Sequence, residues 1–188
     1  MRELFASILL AVVLTGNVAL AQAAPAPAAP ASATQAPEPQ LVEIVGPDGH
    51  FSIKFPGAPQ YGSDLGKLNG TTETFQINRF YVSLQNDNVA YMLMYNDYPA
   101  DADTTSPSAL LEQVRAGAAD GKTVLSDDQI VLNGLPGRAF TTRDPKTGYN
   151  YDEHAFLVGK RLYQIIVVTG KDYTAPNRDA FLNSFNLR

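Results

Sequence analysis

Apolar and polar residues alternate with a period of two in several short segments of this chain. Residues 50–55 alternate in this way up to Pro56-Gly57, which predicts a half-buried strand that ends at the proline. Residues 74–84 and 89–95 are β-branched and aromatic runs around a four-residue polar stretch, which is typical of a long antiparallel hairpin. The stretch from Gly57 to the hairpin contains three further glycines, Gly62, Gly66 and Gly70, so it is predicted to be a loop.

The second half of the chain contains four further strand patterns. Residues 123–132 predict one strand, and residues 138–143 predict another after Pro136-Gly137, because proline cannot donate to a sheet ladder. Residues 149–158 and 161–169 are joined by Gly159-Lys160 alone. A glycine at the first position of a two-residue loop predicts a hairpin with a type II′ turn.

Two segments have helical rather than strand periodicity. Ser106-Pro107 predicts a helix start, with the serine capping free amides, and an apolar stripe follows at Leu110, Leu111, Val114 and Ala118. Glu112 and Arg115 are expected to form an exposed pair on this helix. Pro176 predicts the start of a second, short helix with an apolar face at Phe181, Leu182 and Phe185.

The stretch Gly117–Thr123 resembles a phosphate-binding loop that lacks one residue. Such loops precede a helix, where backbone amides face the anion, whereas this stretch lies where the first helix ends. Gly121 is therefore predicted to stop the helix in a left-handed conformation, with Lys122 favouring the negative end of the helix dipole.

The predicted elements follow the order strand, hairpin, helix, four strands, helix. Because the helices are few and separate from antiparallel strands, the sequence predicts an α+β fold: an antiparallel sheet flanked by helices in an α/β/α sandwich. In the hairpin, Tyr91, Leu93 and Tyr95 lie on one face and Met92 and Met94 on the other. Both faces are therefore expected to be at least partly covered.

Three segments together resemble the PsbP-like domain family, whose fold is shared with a Ran-binding nuclear import factor. They are "FSIKFPGAPQ", "VLNGLPGRAF" and "GKRLYQIIVVTG" followed by "FLNSFNL", which span residues 51–187. The chain lacks the tryptophan that many relatives carry after the first strand. The resemblance implies the α+β sandwich, but it implies no specific function and no site residues.

The first forty residues differ in composition from the rest. Arg2, an apolar run to Leu14 and the sequence Ala19-Leu20-Ala21 predict a signal peptide over residues 1–21. Residues 22–40 are mainly alanine and proline and predict a disordered, semi-rigid linker. Residues 41–188 then form a single domain. Since the chain has no cysteine, a lipoprotein anchor is excluded and the sequence predicts a periplasmic or secreted protein.

The charge pattern argues against two classes of partner. The chain carries a net charge of −5 at pH 7 and no basic cluster, so nucleic acid and anionic membrane surfaces are not expected as partners.

Two clusters raise the question of a metal site. Asp152 and His154 share one strand face, beside Glu153, but two ligands are too few for zinc. The other histidine, His50, is far from this pair in the sequence. Packing of His154 against Ile165 in the final hairpin is the favoured interpretation. The second cluster, Asp97, Asp101 and Asp103, lacks the spacing and closing glutamate of an EF-hand and is interpreted as an acidic loop before a helix.

Catalytic signatures are equally weak. There is no GxSxG motif, and Asp127 and Asp128 are strand neighbours that face opposite sides and cannot act on one bond. No catalytic residue, cofactor site or metal site is therefore predicted. Tyrosines suited to an interface occur at Tyr81, Tyr91, Tyr95, Tyr98, Tyr149 and Tyr151.

The leading hypothesis is a secreted, non-catalytic envelope domain that binds another protein or assists assembly. The alternative is a carrier of a small apolar or lipidic ligand, with a cleft between the sheet and the first helix that Met92 or Met94 would line. A metal-dependent hydrolase built around His154 is a third hypothesis.

Overall fold

The computed structural model describes residues 39–67 and 74–188. The predicted signal peptide and nearly all of the predicted linker lie outside these residues. Ten strands and two helices are described: β1 (Val42–Val45), β2 (Phe51–Phe55), β3 (Gln60–Lys67), β4 (Thr74–Leu84), β5 (Val89–Asp97), α1 (Pro107–Ala118), β6 (Thr123–Leu132), β7 (Leu135–Arg143), β8 (Asn150–Val158), β9 (Arg161–Thr169), α2 (Arg178–Leu182) and β10 (Asn186–Leu187).

The strands form two antiparallel sheets. The large sheet has seven strands in the order β3-β4-β5-β9-β8-β7-β6, and the small sheet has the order β1-β2-β10. Three hairpins, β4–β5, β6–β7 and β8–β9, are local, whereas the β5–β9 pairing joins the two halves of the large sheet.

The main core lies on one face of the large sheet, beneath the small sheet and α2. Phe51 of β2 is fully buried, and its ring meets the rings of Tyr95 and Tyr163 edge-on at centroid distances of 5.5 and 5.6 Å. Phe181 of α2 contacts Tyr91 in the same manner at 5.3 Å. This face is therefore closed by aromatic packing between the two sheets.

A second, smaller core lies on the opposite face, where α1 packs on β7 and β8. Leu111 of α1 is buried there against Phe140 and Leu157. The fold is thus α+β and mostly antiparallel sheet, with two short helices. The predicted α/β/α layering is not confirmed, because a small sheet together with α2 covers one face and α1 covers part of the other.

Most predicted elements are confirmed, but the predicted loop before the long hairpin is wrong. Residues 60–67 form β3 and pair continuously with β4. Strands β1 and β10 were not predicted. Strand β7 begins at Leu135 and not at Arg138, since Pro136 already lies opposite Val131.

The ends of α1 bear out one prediction and correct another. Gly121 has φ +69°, and the Lys122 ammonium donates a hydrogen bond of 2.8 Å to the Ala118 carbonyl, so this stretch ends the helix as predicted. The predicted serine cap is wrong, because the side chain of Ser106 makes no capping hydrogen bond. In residues 39–67 and 74–188, no helix has the length and apolar character that a membrane span requires.

Candidate interaction surface

A half-exposed patch of the large sheet lies beside α1, on the same face. We call it the open sheet face, and it comprises Ile77, Tyr81, Met92, Met94 and Gln164. These residues share this face because they alternate with the core residues of β4, β5 and β9. Helix α1 packs on β7 and β8, so the side chains of these three strands are left partly accessible.

Strand register brings the members of the open sheet face together. Met92 lies opposite Tyr81 on β4 and Ile166 on β9. Met94 lies opposite Gln164, and the Tyr81 hydroxyl donates a hydrogen bond of 2.6 Å to Gln60 Oε1. The patch therefore combines one anchored aromatic ring with two flexible thioethers.

A buried acid lies where the open sheet face meets α1. Glu153 of β8 is 5% exposed and accepts a hydrogen bond of 2.7 Å from Gln164 Nε2. Burial raises the pKa of Glu153 to about 7, although the hydrogen bond from Gln164 and the charge of Lys122 oppose that rise. Its protonation state near neutral pH is therefore sensitive to anything that covers or uncovers this border.

The predicted His154 cluster lies on the opposite, core-facing side of the sheet. Asp152 and His154 line a narrow cleft of about 170 Å³. The Asp152 carboxylate accepts hydrogen bonds of 2.8 and 2.6 Å from Arg178 Nε and Nη2, and one of 2.7 Å from Thr141 Oγ1. Burial alone would raise its pKa, but these hydrogen bonds hold the pKa of Asp152 below its ordinary value.

His154 behaves as a packed imidazole. It lies directly opposite Ile165, as predicted, and burial lowers its pKa despite a hydrogen bond with the Leu182 backbone. Among the residues that the structure describes, no three His, Asp or Glu side chains come together to hold a metal. The geometry thus fits a structural Asp152–Arg178 pair beside a neutral histidine.

The acidic loop before α1 is organised by protein cations. The Lys160 ammonium donates hydrogen bonds of 3.2, 2.5 and 2.8 Å to the carbonyls of Pro99, Ala100 and Ala102. Asp103 accepts hydrogen bonds from both the amide and the hydroxyl of Thr105. Lys160 therefore holds the backbone of this loop in place.

Sequence patterns gave no indication of the cluster around Arg161. Its guanidinium binds Asp97 through two hydrogen bonds of 2.7 and 2.8 Å, bonds Asp48 before β2, and lies 5.0 Å from the ring centroid of Tyr95. These partners are distant in the sequence, so no local pattern could reveal them. The cluster joins the small sheet to the end of the hairpin β8–β9.

A second ion cluster ties α1 to the sheet. Arg138 binds Asp127 through hydrogen bonds of 2.7 and 2.8 Å, and Arg115 reaches the same carboxylate at 2.8 Å. Glu112 pairs with both arginines, so the predicted exposed pair is part of a larger network. Asp128 points into the His154 cleft instead, and the prediction that Asp127 and Asp128 face opposite sides is confirmed.

Two clefts in the described part of the chain do not have the apolar lining expected of a carrier. The larger, about 370 Å³, lies at the ends of β4 and β5 and is lined by Thr74, Phe75, Gln76, Asn78, Asp97 and Pro99. Met92 and Met94 line neither cleft.

The tyrosines predicted as interface candidates divide between core and surface. Tyr91 and Tyr95 are buried in the main core. Tyr81 belongs to the open sheet face, whereas Tyr98 packs against the smaller core, and Tyr151 lies under the Lys122 ammonium at 5.1 Å. Tyr149 is half-buried, and its hydroxyl lies 3.5 Å from Asn88 Oδ1.

Comparison with solved structures finds a PsbP-like protein. The chain is similar to cyanobacterial PsbP (CyanoP) from Synechocystis sp. PCC 6803, with 9% sequence identity and a TM-score of 0.45. The similarity covers 84% of this chain and 98% of that one. No family model and no curated protein matches the chain. That protein carries the name of the family that the sequence motifs resemble.

Proposed function

We propose that this protein is a non-catalytic binding module of the cell envelope that binds another protein or assists its assembly. The open sheet face is the observation that supports the proposal. It places Tyr81, Met92 and Met94 side by side in a half-exposed position on a sheet whose opposite face packs in the main core.

The chemistry of this face suits a protein partner. Tyrosine contributes a large contact area, is enriched at interfaces and loses little conformational entropy on binding. Methionine has three rotatable bonds and a polarisable sulfur, so it adapts to the partner's shape. Gln164 at the border supplies a polar group, as expected at the rim of an interface.

The polar groups that could perform catalysis are engaged in structure. Arg178 and Thr141 occupy the Asp152 carboxylate, and burial disfavours protonation of His154. A hydrolase would need an accessible base close to a nucleophile or a metal-bound water. These contacts favour a binding role over the hydrolase hypothesis.

The location in the envelope rests on the sequence. Residues 1–21 have the charge, apolar run and small-residue cleavage pattern of a signal peptide. Export would deliver a domain without cysteine to a periplasmic or extracellular compartment, where a partner at the envelope would meet it.

Native mass spectrometry of the protein purified gently from the envelope of the cells that make it tests the proposal. We expect a complex of defined mass with another protein. Substitution Met92→Lys places a charge in the centre of the open sheet face, and we expect it to remove that complex because the charge would be desolvated on binding.

Val131→Lys is the matched control, because Val131 is 74% exposed on β6, at an edge of the sheet. It should retain the complex. A protein free of partners at all stages of a gentle purification would contradict the proposal, and a bound adduct of lipid-like mass would support the carrier instead.

A further inference from the structure

Strand β3 forms one edge of the large sheet. In the part of the chain that the structure describes, it pairs with β4 alone and lies at the end of the large sheet. Edge strands are commonly protected by proline, a bulge, short length or charged side chains. The charge at Asp64 is paired with Arg79 of its own chain. β3 runs for eight residues without proline, and its register with β4 is continuous.

The edge also carries two exposed apolar side chains on one face. Tyr61 is 54% exposed and Leu65 is 74% exposed. They are four positions apart, so both point to the same side of the sheet. An exposed, regular and partly apolar edge favours pairing with a further strand.

Symmetry restricts how a second copy can pair with this edge. Most homodimers have a two-fold axis. When two copies of one strand pair antiparallel about an axis perpendicular to the sheet, one residue must lie opposite the same residue of the other copy. Any other register would place side chains from opposite faces directly across from each other. Only registers centred on a residue near the middle of β3 use most of its length.

One of these registers is self-complementary. With Ser63 opposite the partner copy's own Ser63, Tyr61 of each copy lies opposite Leu65 of the other. This arrangement makes two aromatic–aliphatic pairs, which stabilise antiparallel sheets. Centring on Asp64 instead would oppose two carboxylates, and centring on Gly62 would lose both apolar pairs.

The other face of β3 fits the same register. Asp64 of one copy would lie opposite Gly62 of the other. The Arg79 guanidinium covers that glycine, with Nε 3.0 Å from the position of an added Cβ, and it already pairs with Asp64 of its own chain. Each Arg79 would therefore lie between two Asp64 carboxylates, one from each copy.

The opposite edge of the sheet lacks this complementarity. Its strand β6 also exposes two apolar residues, Leu125 and Val131. A bulge interrupts the register between Val124 and Ser126, and the register that would pair Leu125 with Val131 is centred on Asp128. That register would oppose two carboxylates, which is unfavourable.

We propose that β3 is a homodimer interface, in which two copies pair antiparallel through residues 60–66 with Ser63 opposite Ser63. The two large sheets then continue as one, with both open sheet faces on the same side. The proposal does not depend on the function proposed above.

Analytical ultracentrifugation of the chain purified from its own cells, over a range of concentrations, tests the interface. We expect a reversible dimer. Leu65→Lys should raise its dissociation constant at least about tenfold, since both apolar pairs are lost. Val131→Lys, at an equally exposed position, should leave the dissociation constant unchanged.

Cysteine cross-linking tests the register, because the native chain contains no cysteine. Directly opposite residues in an antiparallel pair have Cα atoms about 4.5–5.5 Å apart, which a disulfide can span. Ser63→Cys should therefore cross-link into a dimer under mild oxidation. Leu65→Cys should not, because its two copies would be about 14 Å apart.

A protein that sediments as a monomer at every concentration would overturn the proposal. So would a dimer that Leu65→Lys leaves intact, or one in which Leu65→Cys cross-links and Ser63→Cys does not. Circular dichroism would verify that each variant is folded. Loss of the dimer without loss of the partner complex formed through Met92 would separate this interface from the proposed function.

Discussion

Glu153 shows how one side chain can couple stability to pH. Its carboxyl group is buried on the α1 side of the sheet, and its pKa is about 7 in the folded protein against an ordinary value of 4.5. At a pH between 4.5 and about 7, Glu153 holds a proton in the folded state that it has released in the unfolded chain. Stability from this group is therefore complete below pH 4.5 and falls as the pH rises toward 7.

Replacing Glu153 with glutamine should remove this dependence. Glutamine keeps an oxygen that can accept the hydrogen bond from Gln164 and cannot ionise. Between pH 5 and pH 8 we expect the wild type to lose up to roughly 3 kcal/mol of unfolding free energy relative to Glu153→Gln. Urea denaturation at the two pH values measures the difference.

Asp172→Asn, at an exposed position, is the control for removing a carboxylate. Its unfolding free energy should change between the two pH values as that of the wild type does. The other buried acids and His154 are present in all three proteins, so their contributions cancel in the comparison. Parallel stability curves for wild type and Glu153→Gln would show that Glu153 is ionised in the folded state at both pH values.

At the scale of single elements, substitution of two glycines by alanine should change the stability of the protein in opposite directions. Gly137 lies within β7, where an added Cβ would come within 2.4 Å of the Phe156 ring. That ring is buried and stacks on Phe185, so it has little room to move. Gly117 lies in α1 with nothing within 4 Å of its Cβ position.

We expect Gly137→Ala to destabilise the protein by about 1–3 kcal/mol through overpacking. Gly117→Ala should stabilise it by about 0.5–1 kcal/mol, because alanine favours the helix. Thermal unfolding of the two variants measures both effects. A neutral Gly137→Ala would mean that the sheet relaxes around Phe156 at no cost.

The elements that sequence patterns predicted are those whose signal is local. Alternation located β2, β4, β5, β8 and β9, and the Gly159-Lys160 loop has the positive φ of +61° at glycine that its turn requires. Strand β3 was missed because Gly62 and Gly66 are typical of loops. In the structure, Arg79 covers Gly62, and the rings and methyls of Phe75 and Ile77 cover Gly66, a cross-strand arrangement that no local pattern encodes.

The candidate site was predictable only in part. Strand alternation placed Met92 and Met94 together on one face and Asp152 with His154 on another. It could not show that Arg178 would occupy Asp152, or that Lys160 would hold the acidic loop, because both partners come from distant elements. The burial of Glu153 depends on where α1 packs, which is also a long-range property.

At the scale of the whole molecule, Phe51 joins the two sheets. It is fully buried and its ring contacts Phe80, Tyr95, Tyr163 and Phe185. Phe51→Ala should cost about 3–5 kcal/mol, and both sheets should be lost in one transition because they share this core. Phe51→Leu, which keeps more of the volume, should cost less.

Denaturant unfolding followed by far-ultraviolet and near-ultraviolet circular dichroism measures both the cost and the cooperativity. The two signals should change together in the wild type and in both variants. If the large sheet survived in Phe51→Ala after the aromatic signal had disappeared, the two sheets would be separate folding units.

The small sheet can be completed only late in the synthesis of the chain. β2 pairs with β10, and the Lys54 amide donates a hydrogen bond of 2.9 Å to Ser184 Oγ, 130 positions along the chain. A ribosome makes Phe51 long before β10, the strand that completes the cover of this side chain. The hairpins β4–β5, β6–β7 and β8–β9 can form from local contacts as they emerge, whereas final closure must wait for distant pairings, which fold slowly. Until then we expect the aromatic side chains of the future core to stay accessible to chaperones.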